Sequence, residues 1–155
     1  MTKFGYLIPA LVAVYAVPAM AQKSPCDLVT QSEAAAIIGN DVEKHPFAST
    51  CLYKSKSLTV SKGSTLSLHL RVAKKNNAAI SAAKDRVKKS GGTLKDEPSL
   101  GKGAYSAVAP NSNRIVVFKG DQMLTIDYRD STPAKIPAGP MDKLRGAAKT
   151  ALTRL

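Results

Sequence analysis

His45 and His69 are the only histidines of this chain, and Cys26 and Cys51 are its only cysteines. These four side chains bound its nucleophilic, acid–base and soft-metal chemistry. A hydrolytic triad needs a histidine beside a carboxylate and a nucleophile. No G-x-S-x-G turn is present, His45 precedes Pro46 in a loop, and His69 falls on the polar side of a strand pattern. The cysteine spacing excludes a C-x-x-C redox site, and two cysteines with two distant histidines do not compose a zinc site. The carboxylates are scattered. Asp96-Glu97 and Asp127/Asp130 stand apart, and neighbours along a strand point to opposite faces. Asp121 and Asp127 lack the alternating oxygen ligands of a calcium loop. Gly101-Lys102-Gly103 is too short to cradle a phosphate and reads as a turn. No catalytic residue, metal or cofactor is therefore expected. If the chain were instead a small hydrolase or transferase, His69 is the side chain able to act as its base.

Charge is the remaining chemical signal. The formal net charge is +12, from 23 Lys/Arg against 11 Asp/Glu. The excess is uneven. Residues 22–53 carry two bases against four acids, residues 54–102 twelve against three, and residues 103–155 eight against four. Such a block creates a field that attracts anions, and it also serves as a solubilising surface. Lys74, Lys75, Lys84, Arg86, Lys88 and Lys89 form the candidate face for an anionic partner. No aromatic lies between Tyr53 and Tyr105, so stacking platforms for single-stranded nucleic acid are missing.

The first 21 residues read as an export signal. Lys3 supplies the positive end, Phe4 to Val17 is a short apolar stretch, and Ala19-Met20-Ala21 offers small residues for cleavage. The stretch is shorter than the ~20 residues of a spanning helix and contains Gly5 and Pro9. Residues 22–155 then form one domain, periplasmic or secreted, with no transmembrane segment. Lys23-Ser24-Pro25 before Cys26 is the wrong chemistry for lipidation. Two thiols in an exported chain are expected to pair, Cys26 with Cys51; the alternative is two buried free thiols. The bridge would close about 24 residues, worth roughly 3 kcal/mol in lost chain entropy.

Periodicity supplies the elements that must position any site. Thr30-Gln31-Ser32-Glu33 fits a capping box, and Gly39 ends the helix that follows. Residues 40–49 read as irregular. Leu52-Tyr53 and Leu58–Val60 begin strand-like stretches, Lys62-Gly63-Ser64 reads as a turn, and Leu66, Leu68, Leu70 and Val72 alternate with polar residues. A second helix spans about Asn77 to Lys89, with Ile80, Ala83 and Val87 inward and Lys84, Arg86, Lys88 and Lys89 outward. Three hairpin strands follow: 104–109, then 115–118 after an Asn111-Ser112-Asn113 turn, then 124–129 after Gly120-Asp121. A Pro-rich linker covers 131–139. The last helix opens at Pro140 and carries the stripe Met141, Leu144, Ala148, Ala151, Leu152 and Leu155. That stripe is rich in alanine and lacks Trp and Phe, so it suits a core better than a membrane surface. The order predicts an α+β fold, an antiparallel sheet covered by helices.

Cys26-Asp27-Leu28-Val29-Thr30, Glu33, Ile37-Ile38-Gly39 and Cys51-Leu52-Tyr53 resemble the opening of small exported bacterial domains of unknown function, many of them lipoproteins. Leu100-Gly101-Lys102-Gly103-Ala104-Tyr105 resembles their Leu-Gly-x-x-Ala-Tyr strand entry. The resemblance spans roughly residues 26–129. It implies a PsbP-like sandwich and an accessory or binding role, and it carries no catalytic residue. The expectation is a monomeric, non-enzymatic envelope protein. Its partner would be an anionic envelope polymer or an acidic protein, and not genomic nucleic acid.

Overall fold

The computed structural model describes residues 23–56, 65–131 and 140–155. The expected export signal over 1–21, Leu58–Val60, the expected Lys62-Gly63-Ser64 turn and residues 132–139 of the Pro-rich stretch lie outside the described residues. Four helices accompany one sheet: α1 (Pro25–Leu28), α2 (Gln31–Ile38), α3 (Asn77–Lys89) and α4 (Pro140–Arg154). The strands are β1 (Val42–Phe47), β2 (Thr50–Ser55), β3 (Leu66–Lys74), β4 (Thr93–Asp96), β5 (Tyr105–Ala109), β6 (Ser112–Lys119) and β7 (Gln122–Asp130). They form a seven-stranded sheet in the order β1-β2-β3-β7-β6-β5-β4, antiparallel at every pairing. The fold is α+β.

Two meanders compose the sheet. β1-β2-β3 and β4-β5-β6-β7 meet where β3 pairs with β7, from Leu66↔Asp130 to Lys74↔Gln122. α3 is the crossover that carries the chain from the centre to the far edge. Alternation then assigns the faces. Leu68, Leu70, Val72, Leu124, Ile126, Tyr128, Ile115 and Val117 are buried on one side. They pack with α1, α2 and α4 through Leu28, Ile37, Ile38, Leu144, Ala148 and Ala151.

Local signals explain α2. Thr30 Oγ1 accepts from the Glu33 backbone N–H, and the Glu33 carboxylate accepts from the Thr30 N–H at 2.7 Å. Gly39 closes the helix at φ 84°, a left-handed position that glycine takes without Cβ strain. Cys26 and Cys51 form a disulfide with Cα atoms 5.0 Å apart, tying α1 to β2. The buried Tyr53 hydroxyl reaches the Cys26 and Val29 carbonyls beside it. Arg154 at the end of α4 donates to both oxygens of Glu33 and to the Leu28 carbonyl. On the same face Arg145 makes a two-pronged contact with buried Glu97, which also accepts from Ser106.

Several elements differ from the sequence reading. Residues 42–47 are not irregular but form β1. Pro46 is tolerated because β1 is an edge strand, where a missing N–H breaks no second ladder. The four-residue pieces α1 and β4 carry too little periodicity to be read. The β5–β6 turn is Pro110-Asn111, and Ser112 and Asn113 already belong to β6. α3 holds no fully buried residue. Lys84 does not turn outward: its Nζ sits 4.4 Å from the Tyr105 ring centroid. Spacing explains this, since 80, 83, 84 and 87 share one helical face.

Replacing both Cys26 and Cys51 with Ala should lower unfolding free energy by about 3 kcal/mol in urea titrations. Arg154 chiefly pulls the Glu33 pKa from 4.5 to about 2. Its folded pKa is depressed, so its contribution is complete above pH 4.5 and is lost as pH falls towards 2. Glu33→Gln should flatten stability against pH across that window.

Candidate functional site

The sheet face opposite α4 is only partly covered. α3 lies over β4 and β5, held close at its C-terminal end, where a Cβ on Gly92 would stand 2.6 Å from the Val108 carbonyl oxygen. The strands beside it stay open. Between α3 and those strands lies a cavity of about 280 Å³. Its helix wall is Ala79, Ile80, Ala83 and Arg86. The strands supply His69 and Arg71 from β3, Arg114 and Val116 from β6, and Met123, Thr125, Asp127 and Arg129 from β7, with Thr50 and Tyr105 at the sides.

Register brings these groups together. His69 and Arg114 are the cross-strand partners of Asp127 on its two sides, and Arg129 is two residues further along β7. One Asp127 oxygen, Oδ2, accepts from Arg114 Nη2 at 2.7 Å and from Arg129 Nε and Nη2 at 2.8 and 2.6 Å. The Asp127 side chain is 3% exposed. Its other oxygen and Arg114 Nε are buried with no hydrogen-bond partner. Arg71 and Arg86 have no carboxylate partner among the described residues. Four guanidinium groups thus border a cavity that holds one carboxylate. Bidentate guanidinium donors suit carboxylate and phosphate oxygens.

His69 sits in this positive field. Burial lowers its pKa below 6.5, and the Arg129 charge adds to the effect, while Asp127 opposes it. The ring is therefore neutral at pH 7. Its Nε2 lies 3.2 Å from Ser67 Oγ. A second cavity, of about 430 Å³, shares Ala83, Arg86 and Arg114 with the first. It continues past Ser90, Asn111 and Ser112.

The sequence-derived basic residues divide. Arg86 lines both cavities. Lys84 covers Tyr105, and Lys75 lies 5.2 Å from the Phe118 ring centroid. Lys74 is exposed at the end of β3, and Lys88 and Lys89 are exposed in the last turn of α3. The helix separates these two groups by roughly 20 Å, more than the ~8 Å screening length at physiological salt. They act as two patches. The sequence reading missed Arg71, Arg114 and Arg129. Their one signal is a guanidinium, in place of Ser or Thr, on the polar side of each strand. Only register shows that the three converge.

Among the described residues, no cluster of three or more His, Cys, Asp or Glu could hold a metal ion, and no helix is long and apolar enough to cross a membrane. Asp127→Asn should cost about 2–3 kcal/mol, the scale of hydrogen bonds to charged groups. It should also lower the His69 pKa further, because Asp127 is the group that raises it; imidazole proton shifts followed against pH would read the change. No protein-family model, curated protein or solved structure matches the chain.

Proposed function

We propose that this is an exported, non-enzymatic binding or accessory protein of the bacterial envelope that captures an anionic partner at the arginine-lined cleft. The observation that carries the reading is the four-to-one ratio of guanidinium to carboxylate groups around one cavity. Such a cavity concentrates positive potential, and a bound anion relieves it. Export is supported by the signal-like first 21 residues, and a disulfide fits an oxidising compartment. The PsbP-like resemblance belongs to the same proposal, as an accessory role and not as a catalytic one.

One observation favours a second reading, a small hydrolase or transferase. Ser67 Oγ lies 3.2 Å from His69 Nε2, and Asp127 faces His69 across the strand pair. A triad would need the carboxylate on the other imidazole nitrogen. Here Asp127 Oδ2 is taken by Arg114 and Arg129, and Oδ1 makes no hydrogen bond to His69. The binding reading uses the same groups without that rearrangement.

On a heparin column at low salt, Arg71→Gln/Arg86→Gln should elute at clearly lower salt than wild type, with unchanged circular dichroism. Lys74→Gln/Lys88→Gln/Lys89→Gln should shift elution less, although it removes one more charge. Equal elution of wild type and the arginine variant would overturn the proposal. N-terminal sequencing of exported material should begin at Gln22.

A further inference from the structure

The two cavities beside α3 are halves of one groove. Ala83, Arg86 and Arg114 line both, so the cavities meet at that waist. At about 280 and 430 Å³, each lies near the lower end of the ~300–1,000 Å³ range of small-molecule sites. One end holds Arg71, level with Thr125, and the waist holds Arg86 and Arg114, with Arg129 beside Arg114 on the shared Asp127 Oδ2. The groove thus offers two cationic stations in line. Neutral hydrogen-bonding side chains alternate with them: Thr50 and Thr125 at the first station, and Ser90, Asn111 and Ser112 beyond the second.

We propose that the groove binds a linear acidic glycan, with one negative charge per sugar unit and consecutive units at the two stations. The inference rests on the anion-binding reading above and specifies its ligand. Three observations select this class. Among the described residues Arg71 and Arg86 lack carboxylate partners, and Arg114 Nε is a buried donor with none, so anionic oxygens are wanted along the groove and not at one point. Asp127 stands in the first cavity, and a compact dianion there would place its second charge against that carboxylate. The neutral Thr, Ser and Asn side chains match sugar hydroxyls, which donate and accept. An acidic peptide fits less well. The groove floor is the interior of the sheet, where strand neighbours already pair the backbone. A bound peptide would find no ladder to join, unlike one added at a sheet edge.

Isothermal titration of the full mature protein at low ionic strength, with mono-, di- and tetragalacturonate as probes, tests this. Joining two stations makes the second contact intramolecular, so tetragalacturonate should bind at least about thirtyfold tighter than the monomer. Arg86→Gln lies on a helix with no buried residue, so the fold should tolerate it. It should remove most of that gain. Tetraglutamate, of equal charge, should bind at least about tenfold more weakly than tetragalacturonate. Equal affinity for monomer and tetramer would overturn the two-station glycan and leave anion binding standing. Tetraglutamate matching or exceeding tetragalacturonate would assign the groove to an acidic peptide. Failure of all these probes, together with unchanged heparin elution of Arg71→Gln/Arg86→Gln, would remove both the inference and the reading beneath it.

Discussion

The pairing of β3 with β7 joins segments some fifty residues apart in sequence, and both faces of the molecule hang on it. On one face it sets Leu68, Leu70 and Val72 beside Tyr128, Ile126 and Leu124, all buried in the core. On the other it sets His69 opposite Asp127 and Arg71 opposite Thr125. A shift of one residue would exchange the two faces, driving charges into the core and leucines into water. The apolar face therefore fixes the register, and the register assembles the strand side of the cleft. Neither meander could build the site by itself, because β3 and β7 belong to different ones.

The two faces use their charges differently. On the helix-covered face, acids are matched. Glu97 takes both prongs of Arg145, and Glu33 takes both prongs of Arg154 while capping α2. Arg145 also lowers the Glu97 pKa from its ordinary value. These contacts fasten α4, whose N-terminal side begins beyond the Pro-rich linker, to α2 and to the β4–β5 end of the sheet. On the open face Asp127 meets Arg114 and Arg129, while Arg71 and Arg86 have no carboxylate partner among the described residues. With 23 bases and 11 acids, a surplus of cations is unavoidable. Its convergence at one cavity follows from register and not from composition.

Local chemistry was the legible part of the sequence. The Thr30–Glu33 capping box, the Gly39 stop, the alternation of β3 and β7, the α4 stripe and the Cys26–Cys51 pair each need only short spacing rules or, for the pair, a chain with just two cysteines. Pro46 hid β1, because a proline argues against a strand until the strand is known to be an edge. Lys84 was placed by its charge and not by its spacing, although 80, 84 and 87 lie on one face. Its stem and ammonium cover Tyr105 as an apolar side chain would, with a cation–π contact added. The arginines of the cleft come from three strands and one helix, so no window of sequence contains them.

His69 shows how the same field bears on the two chemistries considered for the cleft. A general base works by taking a proton, and its conjugate acid must then be tolerated. Around His69 the Arg129, Lys54 and Arg114 charges oppose that cation, and only Asp127 favours it. Asp127 is itself largely neutralised by the two guanidinium groups that hold Oδ2. In this field imidazolium is disfavoured and the ring behaves as a neutral polar wall. An anion seated against Arg114 or Arg129 would cancel part of the opposing field, and by linkage the His69 pKa would rise. The field that resists protonation is therefore the field that favours the anion. Capture of a negative group comes first in that arrangement, and any protonation of His69 follows from it.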